Sequence, residues 1–462
     1  LPGETKRLFD EAAEGEFISR RDHFKELLSL KLTARRLDVL LQDRCILCHT
    51  DPASQDPPTL FSTDPKAHGS PAHLDIKGFL GDAHFRRGLS CAGCHGGDPS
   101  DEDMNDEIYD RWPKAEARET DKTWIPAFCA RCHADASFMR GFDPAAPTDQ
   151  YAKYQESTHG RLLLEKRDSR AAQCVSCHGV HDIQGPKSPL SRVYAKNVPS
   201  TCGACHADAE RMKGLTLADG SPMPTDQLEK YERSVHGKAL LERSDLGAPA
   251  CNDCHGNHAA TPPTAASVEQ VCGTCHSGNR ELFEGSKHRK VFDDNGWPEC
   301  AQCHGNHDVE KTSDAMLSTR AGGLCFECHQ KHARDNEACV RTADFFHDTI
   351  TALAEDAHKY GEVVPALAEK GLDVENLGAA VDDLQNTLKQ QRSRIHSFDR
   401  EDFERAAEAG RQGVERAAAE VDGLEREFAF RRKGLFVAVA LMALVAGLIY
   451  LKIRQIEARR PD

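Results

Sequence analysis

Aromatic residues are few: Phe, Tyr and Trp make up 6% of the 462 residues, with only 3 Trp and 7 Tyr. That is thin for the core of a soluble chain this long, so something other than ring side chains must fill the interior. Alternating apolar and polar runs of strand type are nearly absent, which excludes a sandwich or a barrel. Positive charge is in deficit, with 59 Lys and Arg against 74 Asp and Glu and a formal net charge of −15. Such a surface repels phosphate backbones and excludes nucleic acid as a partner. No Cys-x-x-Cys-Lys motif occurs, and no secretory leader precedes the polar start Leu1-Pro2-Gly3-Glu4. The chain is therefore read as already processed.

Cysteine, by contrast, is abundant and ordered. Eighteen of the 19 cysteines form nine Cys-x-x-Cys pairs, each followed directly by His. They are Cys45/Cys48/His49, Cys91/Cys94/His95, Cys129/Cys132/His133, Cys174/Cys177/His178, Cys202/Cys205/His206, Cys251/Cys254/His255, Cys272/Cys275/His276, Cys300/Cys303/His304 and Cys325/Cys328/His329. Cys339 is left over and reads as a small buried hydrophobe. A pair of this spacing serves a dithiol redox site, a zinc site or covalent haem attachment. Neither of the first two requires His after the second Cys. Haem attachment does: two thiols three residues apart meet the two vinyl groups of one porphyrin edge, and the next residue turns an imidazole onto the iron. Nine such motifs in nine pairs imply nine covalently bound haem c groups. Their porphyrins supply the apolar bulk that aromatic side chains do not. Bacterial haem c is joined outside the cytoplasm, which places this part of the chain there.

The motifs are grouped. The one at Cys45 stands alone, and the other eight form four pairs. Tyr154-Gln155-Glu156-Ser157-Thr158-His159-Gly160 recurs as Tyr231-Glu232-Arg233-Ser234-Val235-His236-Gly237 and decays to Ser286-Lys287-His288. Cys-x-x-Cys-His-Gly-x-His follows each copy, ending at His181, His258 and His307. The first pair departs, with His95-Gly96-Gly97-Asp98 and no second His. Gly, Pro and short polar runs here predict loops with short helices on the motifs. Covalent and coordination bonds would staple such loops as disulfides staple small domains.

After residue 338 helix formers take over. Phe346, Ile350, Leu353, Ala357 and Tyr360 step by four and three, as do Leu377, Val381, Leu384 and Leu388. Phe403, Ala407, Gly410, Val414, Ala417, Val421, Leu424 and Phe428 continue the pattern of a bundle seam. Pro365 and Gly371 predict the first break, and Ser397 to Asp399 the second, with Asp399 as N-cap. Gly434 to Leu451 is an uncharged run of 18 residues, about 27 Å as a helix, close to a hydrocarbon core. Arg431, Arg432 and Lys433 precede it, and Lys452, Arg454, Arg459 and Arg460 follow it.

Haem iron has two axial positions, and the motif His takes one. A second strong ligand closes the iron for electron transfer, whereas an open position can transform a substrate. Of 23 histidines, fourteen lie outside the motifs, enough to close every iron. His159, His236 and His288 sit at the repeated upstream position. His181, His258, His307 and His332 follow a motif His by three residues. The porphyrin bars these four from their own iron, so each should serve a neighbouring haem. His68, His73 and His84 are the candidates for the first units. His347 and His358 share a helix face and are expected to be solvated bundle residues, or one of them to serve the last haem. His23 and His396 are expected to be structural or exposed. Met139 and Met212 are minor candidates for a His/Met iron.

The order Ser-x-His-Gly, then Cys-x-x-Cys-His-Gly-x-His, then a bare Cys-x-x-Cys-His resembles the multihaem cytochrome c superfamily of anaerobic bacterial respiration. That group includes tetrahaem cytochromes c-554 and octahaem hydroxylamine and tetrathionate oxidoreductases. The likeness spans roughly residues 45 to 332. Cys94-His95-Gly96-Gly97-Asp98-Pro99 resembles a phrase of membrane-anchored members. The resemblance implies electron exchange with a quinol-oxidising membrane partner and with other cytochromes. The long helices after the last motif are similar to those of pentahaem nitrite reductases, but the absent Cys-x-x-Cys-Lys departs from their active site.

The expected architecture is mainly α with much irregular loop. Residues 1–62 form a helical segment with the first haem, and 63–338 a domain of four paired-haem units. Residues 339–430 form a helical bundle or stalk, 431–454 a transmembrane helix, and 455–462 a cytoplasmic tail. The expected function is electron relay outside the inner membrane, on the periplasmic side, with a lipid anchor through the C-terminal helix. The alternative is a membrane-anchored oxidoreductase acting on a small nitrogen or sulfur compound at one open haem. An open site would be sought at the first pair and at the Cys45 haem, whose distal ligands are least obvious.

Overall fold

The computed structural model describes residues 76–89, 91–97, 120–264, 267–319, 323–329 and 337–458. Of the residues expected to hold haem, Cys45, Cys48, His49, His68, His73 and His332 lie outside the described residues, as do His23 and the segment 1–62. Among the described residues the chain is helices, turns and loops with no strand; one isolated bridge joins Thr216 and Pro222. Two compact units result. One runs up to Pro263 and takes in Asn306–Glu310; the other comprises Thr264–Gly305 and Lys311–Asp462. The division thus falls within the motif-bearing part of the chain and not at residue 338.

In the first unit each motif sits on a short helix: Cys91–His95, Trp124–His133, Cys174–His178, Val198–His206 and Cys251–His255. Helices of five to ten residues do not persist alone in water, so tertiary contacts must hold them. Those contacts repeat. Ser157 caps the helix Thr158–Leu164 by accepting a hydrogen bond from the Gly160 amide at 2.9 Å. Ser234 does the same for the Gly237 amide at 3.0 Å. The Tyr154 hydroxyl donates to the Ala172 carbonyl, two residues before Cys174, at 2.9 Å. The Tyr231 hydroxyl donates to the Pro249 carbonyl, two residues before Cys251, at 2.8 Å. The repeated Tyr-x-x-Ser-x-His-Gly is therefore a clamp that positions the following motif. Its Gly is required by contact, since a Cβ at Gly160 or Gly237 would collide with the carbonyl oxygen of Tyr154 or Tyr231.

Gly179, Gly256 and Gly305 end their motif helices at φ of +80°, +85° and +74°. Their extended ψ puts them in a region that essentially only glycine occupies. The chain turns sharply there and carries the following His away from its own motif.

A second contact interlocks successive repeats. Ala83, Thr158 and Val235 each precede a His, and their amides donate to the carbonyls of Ile183, Ala260 and Val309 at 2.7, 3.0 and 2.9 Å. Each acceptor lies two residues after His181, His258 or His307. The first copy is thereby recognisable despite its altered text. Asp82 takes the place of the capping Ser, accepting from the His84 amide at 2.7 Å and the Ile183 amide at 2.7 Å.

The second unit carries motif helices Val268–Gly273, Glu299–His304 and Leu324–His329, followed by three long helices. We label these α1 (Glu337–Ala368), α2 (Glu375–Arg394) and α3 (Arg400–Glu457). The seam read from the sequence is the bundle core: Ile350, Leu377, Leu384, Phe403 and Ala417 are fully buried, and Phe346, Leu353, Val381 and Leu424 nearly so. Pro365 does not end α1, which continues to Ala368. Pro365 lacks the amide that would bond the Gly361 carbonyl, yet the helix runs past it and the chain turns only at Gly371, with φ of +75°. Between α2 and α3 lies a turn, Ile395–Ser397, then Phe398 with φ of +49°. Asp399 caps α3 by accepting from the Asp402 amide at 2.8 Å. The bundle is tied to the motif-bearing loops of its unit. Arg392 of α2 makes a two-pronged ion pair with Asp314 at 2.8 and 2.7 Å. The Thr319 hydroxyl donates to Asp344 of α1 at 2.7 Å.

α3 is 58 residues long and carries a stretch apolar enough to cross a membrane, with none of that stretch buried by protein. Leu435, Phe436, Leu441, Met442 and Tyr450 are each more than half exposed. A core helix packed within this chain would be covered there, and this stretch is not.

Candidate functional site

The motif histidines do not stand alone. Seven of them face a second histidine, with ring centroids 5.8–6.1 Å apart: His95–His181, His133–His84, His178–His258, His206–His159, His255–His307, His304–His396 and His329–His288. The angle between ring planes ranges from 10° to 79° while the distance hardly changes. Direct ring contact would couple distance to angle. Two imidazoles bound end-on to one metal would not, because each can rotate about its own bond. A metal–imidazole bond of about 2.0–2.1 Å on each side, plus about 1 Å from nitrogen to ring centre, comes to roughly 6 Å. The gaps therefore fit one iron each. Among the described residues no three His, Cys, Asp or Glu side chains converge on one metal position.

The partners follow a register. His181, His258 and His307, carried out of the fourth, sixth and eighth motifs by their glycine turns, face the second, fourth and sixth motif histidines. His84, His159 and His288, each in the upstream turn of one motif, face the histidine of the motif after it. Every pairing thus skips over chain neighbours, as the barrier of a histidine's own porphyrin requires.

The imidazoles are presented as neutral donors. Burial pushes His159 and His288 down to about 4, and lowers His133, His178, His206, His255, His258, His304, His307, His329 and His396 as well. A neutral ring keeps the lone pair that a metal needs. His84 is the exception: its hydrogen bond with Asp82, Nδ1 to Oδ1 at 3.1 Å, raises it. That contact leaves Nε2 for the side facing His133, the usual arrangement of a carboxylate behind a metal-bound imidazole. His396 is oriented in the same way by Nδ1 against the Ser393 carbonyl at 2.9 Å.

The cysteines link successive motifs. Cys129 lies beside Cys174, Cys202 beside Cys251 and Cys272 beside Cys300. Cys94 lies in the electrostatic reach of Cys132, Cys177 of Cys205 and Cys303 of Cys328. First cysteines meet between the sequence pairs and second cysteines within them. Inside each unit, motifs adjacent in sequence are therefore adjacent in space, alternating edges.

The two thiols of a motif differ in exposure in the later motifs. Cys254 and Cys275 are exposed, as are Cys303 and Cys328, whereas the first cysteines Cys251, Cys272, Cys300 and Cys325 are half-buried. Three residues along a helix turn the second sulfur away from the first, and in these four motifs the second is the more exposed. An outward sulfur stays accessible for attachment, so exposure is compatible with a thioether at the porphyrin rim. Cys48 and His49, expected to attach and ligate the first haem, belong to the one motif wholly outside the described residues.

His236 occupies the turn equivalent to that of His159, behind Ser234, and is half-buried. His276 closes the seventh motif at the head of the helix Ser277–Glu284. His347 contacts Asp348 at 3.0 Å on α1, and His358 is exposed there. Cys339 lies half-buried on α1, and Met212 is buried. Two further readings of the sequence change. The first pair was expected to be least supplied with distal histidines, yet His95 and His133 each have one opposite. His396, expected to be structural or exposed, is half-buried against His304.

The family model for the doubled CXXCH motif matches residues 168–211 and 288–334. A multiheme cytochrome, MtrA of Shewanella baltica (strain OS185), is 25% identical over 257 residues, 54% of this chain and 59% of that protein. The chain thus spans less than two thirds of the length of this relative. No solved structure matches. Together these similarities support a multihaem c-type cytochrome with covalently bound haem c.

Proposed function

We propose that the chain is a membrane-anchored electron-transfer cytochrome that binds nine haem c groups and does no bond chemistry of its own. The observation that carries this is the near-constant 5.8–6.1 Å between seven motif histidines and seven others. Haem iron held between two imidazoles is closed, low-spin and suited to passing electrons. The neighbouring cysteines of successive motifs support a relay, since haems attached there would lie close to one another within each unit. Two histidines opposite the first pair weigh against the alternative of a substrate at an open iron there. The exposed apolar end of α3 fits a single span of the inner membrane, with the haem-bearing part on the periplasmic side. There the protein would take electrons from a quinol-oxidising membrane partner and pass them to other cytochromes. Electron paramagnetic resonance of the oxidised protein, with spins counted per haem, tests this. Low-spin signal from every haem supports the relay. A stoichiometric high-spin haem in the wild type would point to a substrate site instead.

A further inference from the structure

The repeat needs a successor. Each even-numbered motif takes its second His from the glycine turn two motifs further on, and the eighth motif has no such turn after it. The structure supplies a substitute from outside the haem-motif text. We infer that the turn between α2 and α3 acts as the terminal repeat and that His396 is the second axial ligand of the haem attached at Cys300 and Cys303. This rests on the haem reading above and extends it to a residue of the bundle.

Three observations carry it. His396 faces His304 at 6.1 Å and 28°, inside the range of the other six pairs. Its Nδ1 is taken by the Ser393 carbonyl at 2.9 Å, which leaves Nε2 for the iron. The surrounding register also matches. In the internal repeats the residue two places after the distal His touches the upstream turn of the preceding unit, as Ala260 does at Thr158. Two places after His396 is Phe398, whose ring packs on His288 with centroids 3.8 Å apart. His288 in turn faces His329 at 6.0 Å. One short turn thereby closes the eighth iron and supports the distal ligand of the ninth. The Arg394–Asp402 ion pair at 2.9 Å and the Ser397 hydroxyl on the Arg394 carbonyl at 2.9 Å hold that turn. The helix that leads to the membrane begins directly after it.

The test uses the full-length holoprotein. H396A should keep the wild-type covalent haem mass and convert one haem per molecule from low to high spin, with added imidazole restoring it. H358A, on an exposed face of α1, should change neither. Should H396A not accumulate, H396M serves: methionine ligation should raise the potential of one haem and leave the others. An unchanged spin count in H396A, or an unchanged redox titration in H396M, overturns the assignment. A wild-type mass without haem would instead overturn the haem reading itself.

Discussion

The amide of Thr158 donates to the carbonyl of Ala260 at 3.0 Å, joining residues that lie in successive repeats. Beside that bond stand two histidines aimed at different partners, His159 at His206 and His258 at His178. A single backbone contact therefore sets two distal positions at once, and the same contact recurs at Ala83–Ile183 and Val235–Val309.

Replacing His258 by Ala should open the iron beside His178. One haem per molecule is expected to turn high-spin while the covalent mass stays unchanged. Spin counting with intact mass spectrometry decides this, and an unaltered low-spin count removes His258 from the ligand set.

Gly160→Ala should destabilise the first unit by at least about 1–3 kcal/mol, the usual penalty for overfilling a packed site. The added Cβ would press on the Tyr154 carbonyl and push the His159 turn away. A thermal melt followed at the haem absorption should move down. A melt equal to wild type would mean the close approach is not obligatory.

Tyr231→Phe removes the hydroxyl that holds the Pro249 carbonyl at 2.8 Å. A loss of about 0.5–1.5 kcal/mol is expected, with haem spectra intact because the ring still packs. Chemical denaturation measures it, and Tyr154→Phe should behave alike.

Leu384→Ala empties a fully buried position between the bundle helices, where Leu384 lies 2.8 Å from the point a Cβ on Gly413 would occupy. The expected cost is about 2–5 kcal/mol. Loss of helical signal on heating should come earlier than in wild type. Equal melting would place the bundle's stability elsewhere.

A chain ending at Lys433 should leave the membrane fraction and keep its haems. Retention on membranes would require an attachment other than the C-terminal span.

The bundle was legible because its helices obey a local rule. Phe346, Ile350, Leu353 and Leu384 recur at helical spacing, and the same residues fill the core. The Asp399 cap was legible for the same reason, since capping chemistry lies within three residues. Pro365 misled because the bundle packing around Leu367 and Leu372 carries the helix past it. Ser157 and Gly160 were visible as repeated text, but their work as a cap and a close approach appears only once Tyr154 is folded over them. The outward placement of Cys254 and Cys275 had no signal in the text, because it depends on which neighbouring motif covers each helix face. His396 had one signal available: the eighth motif lacked a successor repeat, so its second ligand had to come from downstream, and an apolar Phe follows two residues later.

The sequence by itself determined the nine Cys-x-x-Cys-His motifs and their grouping, where the seam of the bundle runs and where an apolar span begins. All of these rest on contacts within a few residues along the chain. The tertiary structure decided which histidine faces which, that His95 and His133 each have a histidine opposite, and that the turn after α2 brings His396 to His304. An axial ligand approaches through space from the far side of a porphyrin, which its own motif cannot reach. His178 and His258 are separated by 80 residues, and only the glycine turns and interlocked repeats bring them face to face.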